Sequence, residues 1–414
     1  MRRVAVTGIG VLSPLGNTAE EAFETATAGR SAIRRLEAPW AKGLSAPIAA
    51  SVKFEGEAHF EPPRLRMLDR VSQFAVVAAR QAMSLAHAGD AGFAPDRMGV
   101  FLGTGMGAAR TTDDGYRACY GGGSERLNPF AVLMGMNNAA AAWVGAEFGV
   151  TGPNLTYSTA CSSAAVAIGE AWSRVARGEL DLAIAGGAEA PLAYGSLKAW
   201  EALHTLARED PADVSASCKP FAGNRCGMVL AEGAALIVLE DFERAAARGA
   251  PIRGELAGFG LSTDLAHITR PSVAGQVAAI DAALRSAGMA PGQIDHINAH
   301  GTGTLANDGV ESAAIKEVFG ERAYRIPVSA TKSMHGHLLG ATGALELALA
   351  LVTLERGVLL PTMHLKVPAP DCDLDYVANA ARPGVKLESV MSNSFAFGGT
   401  NAVLIARAAR AARA

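Results

Sequence analysis

The sequence predicts an α/β fold in which two consecutive series of strands and helices pack as one duplicated core. Two observations carry this. Short apolar runs of strand length alternate with longer segments of helical periodicity, and most runs end in glycine-rich turns. The order of elements after about residue 250 also resembles the order before it. The chain therefore divides into a first half, 1–250, carrying inserted loops, and a second half, 251–414. A length of 414 residues, 50% hydrophobic and 19% charged, suits a large buried core.

The first run, 2–11, is an apolar strand ending in Gly8 and Gly10. Ser13 and Pro14 separate it from a helix over 17–28, so it lacks the GxGxxG spacing of a dinucleotide site. Thr18 is the expected cap of that helix, with Glu20 and Glu21 near its positive end. Residues 35–62 are rich in proline and glycine and read as loop. Arg64, Arg66 and Arg70 precede a helix over 71–88, either as a solvated helix start or as a docking patch for an acidic partner. Residues 98–107 form a buried strand that turns at glycines, 111–127 read as loop, and 128–138 open an apolar helix.

Residues 156–170 are the centre of the first half. A strand breaks at a turn of small residues and feeds a helix, with Cys161 at the break. Ser162 and Ser163 are placed to cap the helix. A cysteine there meets backbone N–H groups and the positive helix end, which favours the thiolate and makes it a candidate nucleophile. A small buried core cysteine is the structural alternative. The strand over 180–189 follows, giving a strand–helix–strand unit with parallel pairing. A core strand over 231–240 and a helix over 241–248 end the half.

In the second half, 254–260 is a strand, 273–287 a helix, 295–299 a strand, 311–319 a helix, 327–332 a strand and 339–354 a long apolar helix. Strands at 387–392 and 401–406 flank a glycine-rich turn. His300-Gly-Thr-Gly-Thr304 follows one strand directly, where ligands bind in parallel sheets. His296, earlier on that strand, reads as structural. Lys332, His335 and His337 cluster between a strand and a helix, without the cysteine or carboxylate spacing of a zinc motif, so no metal is expected. Residues 393–400, Asn-Ser-Phe-Ala-Phe-Gly-Gly-Thr, offer backbone donors and an aromatic gate, or an ordinary turn with buried phenylalanine.

Four stretches in this order, Thr159–Ser163, His300–Thr304, 332–343 and 393–401, resemble the β-ketoacyl-acyl-carrier-protein synthases of type I/II, synthase II above all. The resemblance runs from residue 2 to about 406. It implies a thiolase fold, with duplicated halves layered α-β-α-β-α. It also implies that Cys161 is the acyl nucleophile, that His300 and His337 are the catalytic histidines, and that Lys332 and Glu311 support them. Phe397 is the implied gate, its N–H joining that of Cys161 in an oxyanion hole. Thr302 and Thr304 are implied to bind the phosphopantetheine arm, Met106 and Trp200 to line the acyl pocket, and Arg64, Arg66 and Arg70 to dock the carrier.

The implied reaction is decarboxylative condensation of malonyl carrier with an acyl group on Cys161, in fatty-acid elongation. A specialised ketosynthase of a polyketide or polyene pathway is the alternative. A non-catalytic chain-length subunit is a third reading, from another class, and it would lack the nucleophile. The family's RPFDxxRDGF segment appears as Lys219–Met228, with Ala222 and Cys226 in place of two aspartates, while Arg225 and Glu232 are kept. Ala396 replaces a frequent glycine in the gate loop, and His335 stands where threonine is common. Trp200 and Met106 are both large, which implies a modified, shorter acyl tunnel. The expected partners are acyl carrier protein and a second copy of the chain, with no resident cofactor beyond the phosphopantetheine that carries the substrates.

Net charge is −3, from 37 basic and 40 acidic residues, so no global field invites nucleic acid. The five cysteines show no disulfide framework, and no signal peptide or stretch of spanning length is evident. A cytoplasmic protein without a membrane span is expected.

Overall fold

A computed structural model of the chain describes residues 1–89, 91–121, 126–264 and 267–409. In chain order the first half comprises β1 (Val4–Leu12), α1 (Ala19–Thr27), α2 (Arg70–Leu85), β2 (Met98–Gly103), α3 (Ala109–Tyr120), α4 (Ala139–Phe148), β3 (Asn154–Tyr157), α5 (Ser163–Ala176), β4 (Leu182–Glu189), α6 (Tyr194–Ala202) and β5 (Gly233–Asp241). The second comprises β6 (Gly254–Thr263), α7 (Val273–Ala287), β7 (His296–Asn298), α8 (Asp308–Phe319), β8 (Val328–Ser329), α9 (Thr342–Arg356), β9 (Ser389–Phe395) and β10 (Thr400–Arg407).

The strands join in the order β8-β7-β9-β10-β6-β1-β5-β4-β2-β3. Read outward from the centre, the two halves match: β1-β5-β4-β2-β3 against β6-β10-β9-β7-β8. Each half has two antiparallel pairings followed by two parallel ones. The halves meet where β1 runs antiparallel to β6 over Val4–Val6. Helix α5 packs on β2 and β4, and α9 packs on β9 and β5. The two also touch each other, forming a middle layer between the half-sheets. On the outside, α2 covers β1 and β5, and α7 covers β6 and β10. This is the expected α-β-α-β-α sandwich. β1 and β4 are buried along their whole length, as strands covered by helices on both faces must be.

The duplication reaches individual residues. A Cβ at Gly8 or Gly10 of β1 would lie 1.9 Å from the carbonyl oxygens of Ala82 and Ala78 on α2. At Gly258 and Gly260 of β6 it would lie 2.7 and 2.1 Å from those of Ala283 and Ala279 on α7. Each Gly-x-Gly pair lets a helix of small residues settle directly on a strand.

Two local expectations change. Residues 109–120 are helical (α3), not loop. Their polarity serves i,i+4 pairs, Arg110–Asp114 and Asp113–Arg117, on a surface helix. Residues 122–125 of the expected 111–127 loop lie outside the described residues. The apolar segment over 128–138 yields only the short helix Ala131–Gly135 before α4 begins. The remaining helices fall within a few residues of expectation, and Thr18 caps α1 by accepting from Glu21 N.

Candidate active site

Cys161 occupies a single helical turn, Ala160–Ser162, between β3 and α5. Ala160 takes a left-handed φ of +51°, a strained conformation for a residue with a Cβ. The Ser163 hydroxyl donates to Ala160 O (2.6 Å) and accepts from Thr159 N (2.9 Å), while Ser162 Oγ donates to Thr159 O (2.9 Å). Neither serine caps α5 as expected, because both hydroxyls are committed to closing the turn that presents the thiol. The expected thiolate is also corrected. Burial pushes the Cys161 thiol up to about 11, against the opposing pull of the Lys332 charge and the Phe397 N–H. At neutral pH the Cys161 side chain therefore rests as the thiol.

His300 and His337 face Cys161 across the interface of the halves. The Cys161 sulfur and one ligand nitrogen of each histidine lie within 4.8 Å of one another, and the rings meet edge to face at 5.5 Å. These three atoms are also close enough to hold a metal ion, which would occupy the nucleophile. Both tautomers follow from the neighbours. Leu339 N donates to His337 Nδ1 (3.1 Å), and the Thr342 hydroxyl lies 2.8 Å from the same nitrogen. The Lys332 ammonium, which has only protons to give, lies 3.4 Å from His300 Nδ1. Each ring therefore carries its proton on Nε2. Burial, with the Lys332 charge second, holds both imidazoles well below their ordinary range, so they are neutral. His337 Nε2 is buried with no hydrogen-bond partner among the described residues, a donor held ready for an oxygen that is not part of the protein.

Lys332 is fully buried and paired at 2.6 Å with Glu346 of α9, which sequence reasoning missed. Burial raises the Glu346 carboxyl to about 7, and the Lys332 ammonium opposes this. The 300–303 loop is held differently. His300 N and Gly301 N donate to Glu311 (2.7 and 2.8 Å), and Thr302 N and Gly303 N donate to Asp308 (3.2 Å each). Two carboxylates one turn apart on α8 thus receive four consecutive amides. Asn393 Nδ2 also donates to Glu311, bringing the 393–401 stretch to the same point. Asp308 was the second omission; its Asp-x-x-Glu spacing with Glu311 was the available signal. The Thr302 and Thr304 hydroxyls bond each other at 2.9 Å and line the cleft leading to Cys161.

Phe397 also lines this cleft, in a turn whose Gly398 has φ +81°. Its ring stacks on Trp200 with centroids 6.1 Å apart. Trp200 Nε1 in turn donates to Met106 Sδ (3.2 Å), and Ser196 Oγ lies 3.5 Å from the same sulfur. Met106 is fixed from behind by Glu189, another omission. This buried carboxylate accepts from Gly105 N, Met106 N and Gly340 N, at 2.6, 2.9 and 2.9 Å, tying the pocket turn to the start of α9. His335 is buried and bonds Thr331 Oγ1 through Nε2; it does not touch the reacting groups.

The three arginines before α2 do not form a free patch. Arg64 pairs with Glu147 (2.6 Å) and Arg70 with Glu232 (2.7 Å). Arg66 is exposed and bonds only the Pro62 carbonyl among the described residues. Arg225 supports the 300–304 loop by donating to Thr304 O (3.0 Å), whereas Ala222 is buried and Cys226 exposed.

Two family matches cover this architecture: the β-ketoacyl synthase N-terminal domain over residues 1–245 and the β-ketoacyl synthase C-terminal domain over residues 253–366. Nodulation protein E of Rhizobium meliloti (strain 1021) is 42% identical over 403 residues, covering 97% of this chain and 98% of that protein. The 3-oxoacyl-[acyl-carrier-protein] synthase 2 of Staphylococcus aureus (strain N315) is 39% identical over 407 residues, covering 98% of each. Among solved structures, a type II PKS ketosynthase in complex with its acyl-carrier protein and bound to the hexaketide superposes with a TM-score of 0.90. It shares 32% identity over 99% of this chain and 100% of that one.

Proposed function

Because the chain belongs to the β-ketoacyl synthase family, a family of condensing acyltransferases, we propose that it is a 3-oxoacyl-[acyl-carrier-protein] synthase of fatty-acid elongation. One observation carries the reading: a buried thiol faces two neutral imidazoles that both present Nε2–H. Cys161 Sγ attacks the acyl thioester while the N–H groups of Cys161 and Phe397 hold the carbonyl oxygen as it becomes negative. The carrier thiol leaves with the proton. Malonyl carrier then loses CO₂, and the electron pair of that bond becomes an enolate whose oxygen is held by His300 and His337. Its carbon attacks the Cys161 thioester, the Cys161–acyl bond breaks, and a 3-oxoacyl carrier departs as the thiolate takes a proton from solvent, replacing the one that left with the first carrier thiol. The reaction draws on the substrates' own carboxylate and thioester and uses no resident metal or cofactor.

A specialised polyketide or polyene ketosynthase is the second reading. It is favoured by the Met106 sulfur held by Trp200 and Ser196, together with the likeness to nodulation protein E and to a polyketide ketosynthase. A non-catalytic chain-length subunit fits poorly with a complete nucleophile and histidine pair. Acyl carrier protein is the proposed partner. With Arg64 and Arg70 tied to carboxylates, its docking contact before α2 falls to Arg66. A second copy of the chain is proposed against β3. No helix among the described residues is long and apolar enough to cross a membrane. All five cysteines are free, as a reducing cytoplasm would keep them, and that is the proposed compartment.

The test is mass spectrometry of carrier-bound products from malonyl carrier and acyl carriers of graded length, beside Cys161→Ala. A product two carbons longer, lost in the variant, is expected. CO₂ release without extension would replace this reading with an uncoupled decarboxylase or an enzyme lacking its partner subunit. Extension confined to one unusual primer would favour the specialised ketosynthase.

A further inference from the structure

The cleft lined by Cys161, His300, His337, Thr302 and Thr304 is also lined by Arg270. Arg270 is exposed, and its guanidinium has no ion pair or hydrogen bond among the described residues. Arg225, which supports the 300–304 loop, is by contrast committed to the Thr304 and Ala222 carbonyls. The backbone that carries Arg270 is restrained. His267 Nδ1 accepts from Thr269 N (3.1 Å), and Pro271 confines the preceding residue to extended conformations. Ile268 O accepts from Gly398 N at 2.7 Å, anchoring this segment to the turn that carries Phe397.

We propose that Arg270 is the phosphate subsite for the phosphopantetheine arm. The inference rests on the condensing-enzyme reading above and adds a residue to it. An arm whose thioester lies at Cys161 and whose middle passes the two threonines has one anionic group left, the phosphate at its far end. A planar guanidinium, always charged and otherwise unpaired, is the side chain suited to receive it bidentately. The segment around Arg270 is also hydrogen-bonded to the gate turn, so the phosphate would be held against the element that admits the acyl group.

The test follows acyl transfer to Cys161 by intact-protein mass spectrometry, using acyl-pantetheine and acyl-4′-phosphopantetheine at equal, subsaturating concentrations. Wild-type protein should prefer the phosphorylated thioester by about ten-fold, the size of one charge-assisted contact, and the preference should shrink in high salt. Arg270→Ala should bring the ratio to about one, and Arg270→Lys should restore part of it. Because each ratio is taken within one preparation, a loss of folded protein does not alter it. An unchanged ratio in Arg270→Ala overturns the proposal. So does a variant that slows transfer from acyl carrier protein while keeping the ratio for the free arms, since the cation would then be reading an acidic carrier side chain. Failure of wild-type protein to accept an acyl group from either thioester would remove the condensing reading, and the subsite with it.

Discussion

At Cys161, the proposed nucleophile, burial and charge pull in opposite directions. Desolvation stabilises the thiol, while the Lys332 ammonium and the Phe397 N–H stabilise the thiolate, and desolvation wins, leaving the group at about 11. The thiolate fraction should therefore rise about ten-fold per pH unit from pH 7 to 10. The rate of Cys161 alkylation by iodoacetamide should rise in step, with no plateau below pH 10; levelling near pH 8 would show a preformed thiolate. The same balance explains what could be read from the residues alone. His300, Lys332 and His337 sit in short glycine-marked turns after strands, and Cys161 in a turn of small residues after another, where their placement is legible. The carboxylates that hold them were harder to find. Glu346 reaches Lys332 from a helix fourteen residues on, Glu189 binds backbone amides whose positions no side-chain pattern reports, and Asp308 offered only its Asp-x-x-Glu spacing with Glu311 as a signal.

At the scale of elements, we expect α6 to set the length of the proposed acyl pocket. Ser196 and Trp200 stand four residues apart, hence on one helix face, and both reach the Met106 sulfur, while Trp200 also stacks on Phe397. We expect this arrangement to fix Met106 across the acyl path. Trp200→Phe, combined with Ser196→Ala, keeps an aromatic ring against the gate but removes both donors. Each methylene buried is worth about 0.8 kcal/mol, so a pocket longer by two carbons should raise kcat/KM for the longer acyl carrier roughly ten-fold. Competition between acyl carriers, read by product mass, checks this. An unaltered chain-length profile would mean that Met106 is not the stop. The size of Trp200 and Met106 was readable from the sequence, but their contact was not, because 94 residues separate them. Helix α3 was missed for the opposite reason. Its residues are mostly polar and none is buried, and tertiary contacts such as Asp113 accepting from Gly195 N hold it in place.

At the scale of the molecule, the numbering of the strands shows the duplication: each strand of the second half occupies the place of the strand five earlier. The repeated order of elements was its visible trace, while of the two Gly-x-Gly strands only the first stood out, as a failed nucleotide fingerprint. The two outer edges of the sheet are not equivalent. At one end β8 is buried, and Val328 N donates to Asp375 O. At the other, β3 leaves Asn154 and Leu155 exposed, and in the segment before α4 Val132, Leu133 and Met136 are 75%, 54% and 42% exposed. An open strand edge is a pairing template, exposed apolar side chains favour burial, and natural proteins cover such edges. A second copy of the chain can cover it symmetrically, edge against edge. Sedimentation equilibrium should give twice the 42.5 kDa chain mass for the wild type. Leu155→Lys with Val132→Lys, which places one charge on the strand edge and one on the segment before α4, should shift the equilibrium to monomer at micromolar concentration while the circular dichroism stays native. A double variant that remains dimeric would move the interface elsewhere. A wild type that sediments as a monomer, and pairs only when a chain-length partner is added, would make the β3 edge a heterodimer surface and favour the specialised ketosynthase.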